Sequence, residues 1–372
     1  MITSIQGREC LANFNVGTIS VERGTRGYGT LPVTTMSTGF KIEVPVHIIA
    51  GKESGPTLTL IPALHGHEFS VIDIIAETLK QMNPRKLKGN IIATTVTNPL
   101  AFQMGTRSSW FDGQWGPTND LNRAFPGNPR GWIVERIAHQ ITEHIIPASD
   151  IILDFHGDST HKFAAAYYAY RHNSPGKLGE EADELTRDLG LEIIVDMGSP
   201  RPNSLTGYAR SQGKIGVAIE VCDFWGLEGT PRQADPRRTM TDAGLTCVMN
   251  TLKKLDMIDG ELELPRRQVI LEGGYTGVTP SSGGLLCPGV TREDIGRVYG
   301  VDHSLGEVIN PYTFEVLDDL RMPYEESVVL AVKDWRPFAH IEPGGGDVGF
   351  EVSDWGNKRW ITRSDEEGII IG

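Results

Sequence analysis

The sequence predicts an α/β fold with a mixed, mostly parallel sheet that carries helices on both faces, followed by a small all-β domain. Three observations support this prediction. Short β-branched runs bounded by Gly, Pro or Asn alternate with stretches of helical periodicity up to about residue 258. Strands that alternate with helices are typical of a largely parallel sheet with a helix layer on each face. Beyond about residue 262 the pattern changes to short β-like runs separated by Gly, Pro and Asp.

The individual elements follow from these patterns. The predicted strands of the α/β part are 44–49, 57–64, 91–96, 151–156 and 215–221, and the predicted helices are 69–82, 132–146, 178–189 and 237–255. The predicted strands of the β part are 268–271, 284–286, 313–316 and 328–332. We therefore expect an N-terminal arm (1–40), a catalytic domain (41–258), a C-terminal β domain (262–350) and a polar tail (351–372).

Composition and charge exclude several classes of protein. The chain has 372 residues, of which 39% are hydrophobic and 22% charged, as is usual for a folded protein. A formal charge of −13 opposes a nucleic-acid partner, because that affinity comes from clustered Lys and Arg. The four cysteines show no C-x-x-C spacing, and no run approaches the roughly 18 apolar residues of a membrane helix. We expect a cytoplasmic enzyme without a membrane partner. The sequence leaves open whether the protein forms a homo-oligomer.

A polar tetrad, His65-Gly66-His67-Glu68, directly follows the predicted strand 57–64. Open α/β sheets keep their ligands at the carboxyl ends of the strands. His65 and Glu68, in H-x-x-E spacing, can converge on one Zn²⁺. The spacing also arises by chance, since an acidic residue in the first turn of a helix is favoured electrostatically. His67 is the alternative ligand, with less weight because His65 and Glu68 have the expected spacing.

A third ligand comes from the predicted strand 151–156, which ends at His156. A catalytic zinc takes three protein ligands and leaves a fourth position open. His65, Glu68 and His156 complete such a His₂Glu set, with one Zn²⁺ per chain. A histidine at a strand end is also commonly a hydrogen-bonded edge residue. Asp154 lies on the same strand face and either supports a ligand histidine or is a buried structural aspartate.

The segment 98–127 is too long and polar for a plain connection, and long loops inside compact domains are usually functional. Arg107 and Arg123 lie in it. A guanidinium can hold a substrate carboxylate through two hydrogen bonds or stabilise charge on a carbonyl oxygen. The commoner fate of such an arginine is a surface ion pair.

Glu220 interrupts the β-rich run 215–221, which should be buried. A buried glutamate is rare unless it is paired or catalytic. Beside a catalytic zinc, it would act as the general base and pass the proton to the leaving nitrogen. Arg210, ten residues earlier, could approach from the preceding segment, although a solvated arginine is equally compatible with its position.

Together, these motifs resemble the succinylglutamate desuccinylase/aspartoacylase family of zinc carboxypeptidase-like enzymes over roughly residues 40–350. The resemblance implies that His65, Glu68 and His156 bind zinc and that Glu220 is the general base. It further implies that Arg107 polarises the scissile carbonyl, that Asn122 and Arg123 bind the substrate, and that Arg210 grips its carboxylate. It also implies that the C-terminal domain is barrel-like.

Three features depart from the family pattern. His67 stands where many relatives have Asp or Asn, Asp158 follows where many have Gly, and the stretch 108–118, with Trp110 and Trp115, resembles an insertion beside the pocket. These departures favour a substrate that is bulkier or differently charged than N-acetylaspartate. N-acetylated diamino acids are one candidate class within the bacterial members of the family.

The resulting hypothesis is a zinc-dependent amidohydrolase that removes the acyl group from an N-acyl amino acid or a related small amide. Two alternatives remain at this point. The same site could belong to a metallocarboxypeptidase that acts on peptides, or to a zinc- or ligand-binding protein whose catalytic apparatus has decayed. The presence of both Glu220 and Arg107 argues against decay.

Overall fold

A mixed sheet of eleven strands forms the centre of the fold in the computed structural model, which describes residues 12–112, 119–157, 164–222, 240–333, 339–343, 349–364 and 368–371. The strands of this sheet are β3 (Thr25–Thr35), β4 (Lys41–Ala50), β5 (Glu53–Pro62), β6 (Lys88–Thr94), β7 (Ile151–His156), β9 (Tyr168–Arg171), β10 (Ile193–Asp196), β11 (Ile215–Glu220), β12 (Arg267–Leu271), β21 (Lys358–Ser364) and β22 (Gly368–Ile371). Their order is β22-β21-β12-β10-β9-β11-β7-β5-β6-β4-β3.

The remaining strands form smaller antiparallel sheets. Two short strands, β1 (Asn13–Val16) and β2 (Ile19–Glu22), pair with each other. The others are β8 (Ala164–Ala165), β13 (Thr276–Val278), β14 (Gly284–Pro288), β15 (Val298–Gly300), β16 (Ser304–Ile309), β17 (Val316–Arg321), β18 (Glu326–Val332), β19 (Ala339–Ile341) and β20 (Phe350–Asp354). One sheet has the order β13-β20-β18-β15, with β8 added to β18, and the other has the order β17-β16-β14-β19.

Six α-helices accompany the sheets in the described ranges. They are α1 (Ile72–Gln81), α2 (Pro99–Met104), α3 (Ile133–Gln140), α4 (Lys177–Asp188), α5 (Leu205–Ser211) and α6 (Met240–Lys254). A π-helical turn, Ile141–Ile145, continues α3, and short 3-10 helices lie at Trp110–Asp112, Leu121–Arg123 and Arg292–Asp294. None of the described helices is both long and apolar enough to cross a membrane.

The large sheet buries both faces because its side chains alternate between them. On β7, Ile151, Leu153 and Phe155 pack in a cluster with residues of α1, α4 and α6. Ile152 packs in a second cluster with residues of α3 and α5. The predicted helix layers on both faces are therefore confirmed. By the same alternation Asp154 and His156 face the α3 and α5 side.

The sheet is mixed, as predicted, but it is not mostly parallel, which was the other part of the prediction. Five of its described pairings are parallel: β5 with β6 and with β7, β7 with β11, and β10 with β9 and with β12. The pairs at both ends are antiparallel, as is β9 with β11. The alternation of strands and helices predicts only the strands joined by helical crossovers. The outermost pairs, β3 with β4 and β21 with β22, are formed by strands that follow each other along the chain, and that alternation does not reveal them.

The predicted domain limits correspond only partly to the sheets. The residues assigned to an N-terminal arm include β3, which pairs along its length with β4. The strand β12, assigned to the C-terminal domain, pairs in parallel with β10 of the large sheet. The residues assigned to a tail include β21 and β22, and β21 pairs with β12. Between residues 358 and 363 every side chain except Ile361 is only partly buried, which fits the polar character of this part of the chain.

Candidate metal centre

Three neighbouring strands deliver the predicted ligands and base to one edge of the sheet. In the parallel register, Pro62 of β5 lies beside Phe155 of β7, and His156 lies beside Glu220 of β11. His65 follows three residues after β5 ends. The carboxyl ends of adjacent parallel strands meet at one edge, so residues distant in sequence become neighbours.

His65, Glu68 and His156 form one buried group whose ligand atoms lie within 4.8 Å of one another. His65 Nδ1 lies 2.8 Å from Glu68 Oε1, and His156 Nδ1 lies 3.3 Å from Glu68 Oε2. Both imidazoles thus direct the same ring nitrogen at opposite oxygens of one carboxylate. His67 does not belong to this group.

An aspartate faces the other ring nitrogen of each histidine. Asp120 Oδ1 lies 3.2 Å from His65 Nε2, and Asp154 Oδ2 lies 3.1 Å from His156 Nε2. Metal-bound histidines usually donate their second ring N–H to a carboxylate, which fixes the tautomer and the ring orientation. In this arrangement both Nδ1 atoms are the candidate ligand atoms, and Asp154 is buried with one oxygen close to His156 Nε2. Asp120 takes the matching position at His65, and no pattern in the sequence marks it.

The electrostatics of the group favour charge separation. Burial alone would lower the pKa of His65 and His156, but the charge of Glu68 and the carboxylates at their Nε2 atoms raise it. Burial alone would raise the pKa of Glu68, but the two histidines hold it far below its usual range. The site therefore keeps Glu68 ionised, as a metal ligand must be.

The residues present fit a divalent cation. Glu68 Oε2 is buried and accepts no hydrogen bond from the described residues, although His156 Nδ1 lies 3.3 Å away. A buried carboxylate oxygen without a partner is costly. Two imidazole nitrogens and one carboxylate match the donor set of a catalytic zinc site with an open position. The cluster is thus a candidate zinc centre.

Local packing explains why the tetrad contains glycine. A Cβ at Gly66 would overlap the backbone of Ala101 and Phe102 in α2. Asn98 supports the same approach, because its side-chain oxygen caps the N-terminus of α2 while its amide donates to the carbonyl of Leu64. Gly66 is therefore required by close contact between the tetrad and α2.

The loop before the short helix Leu121–Arg123 carries Arg107, and the helix itself carries Asn122; both lie close to the metal centre. Arg107 donates to Asp120 Oδ2 at 3.1 Å, so that aspartate connects it to His65. The amide nitrogen of Asn122 lies 3.4 Å from His156 Nε2, and its oxygen accepts from the backbone N–H of Leu205 at 2.9 Å. Asn122 thereby joins the metal centre to the first turn of α5.

Arg123 lies beside the same loop and is partly buried. Its guanidinium donates to the carbonyl of Asn122 at 2.6 Å. Burial lowers its pKa, and the positive charges of Arg201 and Arg107 act in the same direction. The negative charge of Asp120 opposes these effects. Arg123 together with the exposed Arg107 and Arg201 gives this side of the site an excess of positive charge, which favours an anionic ligand.

The structure does not bring Arg210 to the other predicted site residues. It is buried in α5, and its guanidinium donates to the carbonyls of Gly216 and His172 and to the hydroxyl of Ser174. Burial lowers its pKa to about 10. These contacts are those of a side chain that supports the backbone of neighbouring segments.

Glu220 lies next to the metal centre at the end of β11. Burial raises its pKa to about 7; the negative charge of Glu68 contributes to the rise, and the charge of His156 opposes it. The hydroxyl of Tyr170 donates to Glu220 Oε1 at 3.3 Å. A carboxyl group with a pKa near neutrality can both take up and release a proton under ordinary conditions.

Further groups adjoin the site that the sequence did not reveal. Tyr168 and Tyr170 meet edge to face, with ring centroids 5.2 Å apart. Burial raises the pKa of Tyr275 to about 12 and that of Glu351 to about 8, and the negative charge of Glu220 contributes to both rises. These residues come from separate regions of the chain and follow no local motif, so no pattern in the sequence marks them. Trp115 and Asp158, which depart from the family pattern, lie outside the described residues, whereas Trp110 is described and largely exposed.

Comparison with known proteins finds similar proteins both by sequence and by structure. Residues 54–242 match the model of the succinylglutamate desuccinylase/aspartoacylase catalytic domain. The chain is 26% identical over 290 residues to the N-alpha-acetyl-L-2,4-diaminobutyric acid deacetylase of Halomonas elongata, covering 75% of this chain and 80% of that protein.

The structural comparisons agree. The crystal structure of a succinylglutamate desuccinylase from a Silicibacter species superimposes with a TM-score of 0.74 at 20% identity, covering 91% of this chain and 98% of that one. The product-bound ectoine utilization protein EutE of Ruegeria pomeroyi gives a TM-score of 0.73 at 20% identity, with the same coverage. At these identities, the likeness shows a shared fold. Because the family model spans half of the chain, including the three candidate ligands and Glu220, the chain belongs to the succinylglutamate desuccinylase/aspartoacylase family.

Proposed function

We propose that this protein is a zinc-dependent hydrolase that cleaves the amide bond of an N-acyl amino acid. The observation that carries the proposal is the position of Glu220, a carboxyl group with a pKa of about 7, directly beside His156 of the candidate metal centre. A general base works best when its pKa lies near the working pH. The family relationship supports a deacylase, and the His₂Glu donor set supports zinc.

His65, Glu68 and His156 would hold the metal. When bound there, a zinc ion would supply Lewis acidity, which polarises a carbonyl group and lowers the pKa of a water molecule. Asp120 and Asp154 hold the two imidazoles with Nδ1 turned towards Glu68. They keep the ligand atoms in place before the ion arrives.

Glu220 would accept the proton of the attacking water and then deliver it to the leaving nitrogen. Tyr170 orients its carboxyl group through the hydrogen bond to Oε1. Arg107, anchored by Asp120, would stabilise the negative charge that grows on the scissile carbonyl oxygen. Loss of such a donor typically costs about 3 kcal/mol of transition-state stabilisation.

The substrate carboxylate would bind on the Arg123 side of the site. Asn203 donates to the carbonyl of Arg123 at 3.1 Å and so holds the segment that carries Arg201 against this loop. The charge of Arg201 acts on both Arg123 and Tyr275. Arg123 and Arg201 are therefore better placed than Arg210 to grip a carboxylate.

The two small antiparallel sheets would form the barrel-like domain expected from the sequence, placed over the site. Their strands share one apolar cluster, which also contains Val195 of β10 and Leu271 of β12. Backbone pairing of β8 with β18 connects one of these sheets to the chain that follows β7. The domain would restrict access of water and set the size of the substrate.

The proposal is tested by measuring metal content and then assaying a panel of N-acetyl amino acids before and after chelation. We expect about one zinc per chain, loss of hydrolysis in the metal-free protein and recovery when zinc is restored. Undiminished hydrolysis without metal would contradict zinc dependence. Release of C-terminal residues from peptides, with no action on N-acetyl amino acids, would favour the carboxypeptidase alternative.

A further inference from the structure

Glu220, the proposed general base, has an antiparallel strand as its neighbour on one side. β9 pairs with β11 so that Tyr168 lies opposite Glu220, whereas on the other side His156 of β7 lies beside it in parallel register. Side chains of directly paired residues point to the same face of a sheet, and so do side chains two residues apart on a strand. Tyr168, Tyr170 and Glu220 therefore share one face. Because β9 begins at the edge where β11 ends, its first residues lie beside the candidate metal centre.

The hydroxyl groups of the two tyrosines form a hydrogen-bond chain that ends on Glu220. Tyr170 Oη lies 3.3 Å from Glu220 Oε1 and 3.3 Å from Tyr168 Oη. A tyrosine hydroxyl has one proton to donate, and that of Tyr170 goes to the carboxylate, so its oxygen accepts from Tyr168. All donors of the hydrogen-bond chain therefore point in one direction, from Tyr168 through Tyr170 to Glu220.

Both hydroxyl groups must keep their protons to donate in this way. Burial holds the pKa of Tyr168 and that of Tyr170 well above the usual range, and the negative charge of Glu220 contributes to both rises. A hydrogen bond donated to a hydroxyl oxygen polarises its O–H bond and strengthens the hydrogen bond that this hydroxyl donates in turn. Tyr168 thus acts on the carboxylate of Glu220 through the hydroxyl of Tyr170.

Packing fixes the position of Tyr168. Its side chain is 1% exposed and belongs to the apolar cluster that the two small sheets share, which also contains Leu330 of β18 and Phe350 of β20. Its ring meets that of Tyr170 edge to face, with 5.2 Å between the centroids and 89° between the planes. Tyr170 also stacks on His172, with ring centroids 6.4 Å apart. Rings held in this way lose little further freedom when their hydroxyl groups donate, so the orientation of both hydroxyl groups is set before a substrate binds.

We propose that Tyr168 is a positioning residue for Glu220 and acts through Tyr170. It holds the hydroxyl of Tyr170 in the orientation that donates to Glu220 Oε1 and so keeps the carboxylate of the general base in one orientation. The proposal rests on the function proposed above. It gives the small sheets a part in the reaction beyond covering the site, because their apolar cluster holds Tyr168 in place.

The test is a double-mutant cycle on kcat for the N-acetyl amino acid that the wild-type protein hydrolyses fastest. Tyr170→Phe removes a hydrogen bond to a charged group and should lower kcat by at least about tenfold, with KM nearly unchanged. Tyr168→Phe removes a bond between neutral groups and should lower kcat by about threefold to fivefold. In the Tyr170→Phe background, Tyr168→Phe should have no further effect, because its influence passes through the missing hydroxyl. Tyr299→Phe on β15, which loses a hydrogen bond to Asp294 at 2.6 Å, is the matched control and should keep kcat.

Additive losses of kcat in the two variants overturn the proposal, as does an unchanged kcat in Tyr168→Phe. A measurement that needs no turnover separates this failure from that of the proposed function. In the zinc-loaded protein labelled with fluorotyrosine, the fluorine NMR resonance of Tyr170, identified by its loss in Tyr170→Phe, should shift in Tyr168→Phe and in Glu220→Gln. If no N-acetyl amino acid is hydrolysed, the proposed function fails. These shifts then still support the hydrogen-bond chain, and a resonance that stays in place in either variant refutes it.

Discussion

Asp120 contacts His65 Nε2 through one carboxylate oxygen at 3.2 Å and so fixes the imidazole of a candidate metal ligand. The nearby charges of His65, Arg107 and Arg123 hold the pKa of Asp120 far below its usual range against the effect of burial. Asp120 is therefore ionised in the folded protein and can accept a hydrogen bond from the Nε2–H group of His65. The relationship joins the metal centre to the loop that carries Arg107 and Asn122.

The first prediction concerns this support. Asp120→Asn keeps the oxygen that caps the backbone N–H of Asn122 but loses the negative charge. Loss of such a partner typically weakens metal binding by 10–100-fold, and we expect a change of roughly tenfold, measured by competition with a chromophoric chelator. Asp319→Asn, on β17 of a small sheet, is the control. Unchanged zinc affinity in Asp120→Asn would show that Asp120 does not support His65.

The second prediction separates metal binding from turnover. Glu220→Gln removes the proton acceptor without touching the three candidate ligands, so we expect hydrolysis to fall by at least about 100-fold, the range typical of general-base catalysis. Zinc content, measured by mass spectrometry, should stay at one ion per chain. Full activity in this variant would refute the role of Glu220.

The third prediction concerns stability against pH. A carboxyl group whose pKa is raised on folding contributes stability at low pH, and that contribution is lost as the pH rises from its ordinary value through the folded value. For Glu351 this window runs from the usual pKa of 4.5 to about 8. Glu351→Gln should therefore raise the melting temperature by a few degrees at pH 9 relative to the wild-type protein, with less gain at pH 5. A gain that is the same at both pH values would contradict the raised pKa.

Much of the metal centre could be predicted from the sequence because local patterns carry it. The apolar runs before His65 and His156 predicted two strands that end at the same edge of a sheet, and the structure confirms both strands. Glu220 was singled out because a carboxylate in an apolar strand is rare. In each case, the residue and the pattern that marks it lie within a few positions of one another.

The rest of the site depends on contacts between distant segments. The ten-residue offset between Arg210 and Glu220 fixes the separation along the chain but not the direction of the arginine side chain in α5, which donates to Gly216. Glu351 on β20 and Tyr275 just before β13, whose pKa values the charge of Glu220 raises, belong to the part of the chain that forms the small sheets. A single sequence does not reveal which strand pairs with which, and for the same reason it does not show that β12 pairs with β10 of the large sheet.

The fourth prediction concerns the glycine of the tetrad. Gly66→Ala places a methyl group into the backbone of α2, so we expect a loss of about 2 kcal/mol in the free energy of unfolding, within the range for overpacked sites. Zinc affinity should fall as well, because α2 can separate from the tetrad only if His65 and Glu68 move. Gly300→Ala on β15, where the added carbon would meet only the carbonyl of Glu325 at 3.8 Å, is the control. Urea titration of the two metal-free variants measures the difference, and equal stability would contradict the close contact.

The fifth prediction distinguishes Arg201 from Arg210 as the partner of the substrate carboxylate. Arg201 is exposed, and its charge acts on Arg123, so Arg201→Ala should leave folding intact and raise KM by roughly tenfold through a lost charge-assisted interaction. Arg210→Ala removes three donor contacts from a buried position and should chiefly lower the melting temperature. An N-acetyl amine that lacks the carboxylate provides the internal control, because Arg201→Ala should not change its KM. The opposite result would be an Arg210→Ala variant that keeps the melting temperature of the wild-type protein and has a raised KM only for the carboxylate substrate. Arg210 would then be the arginine that binds the substrate carboxylate, as its ten-residue offset from Glu220 implies. Its contacts with Gly216 and His172 would have to break when the substrate binds.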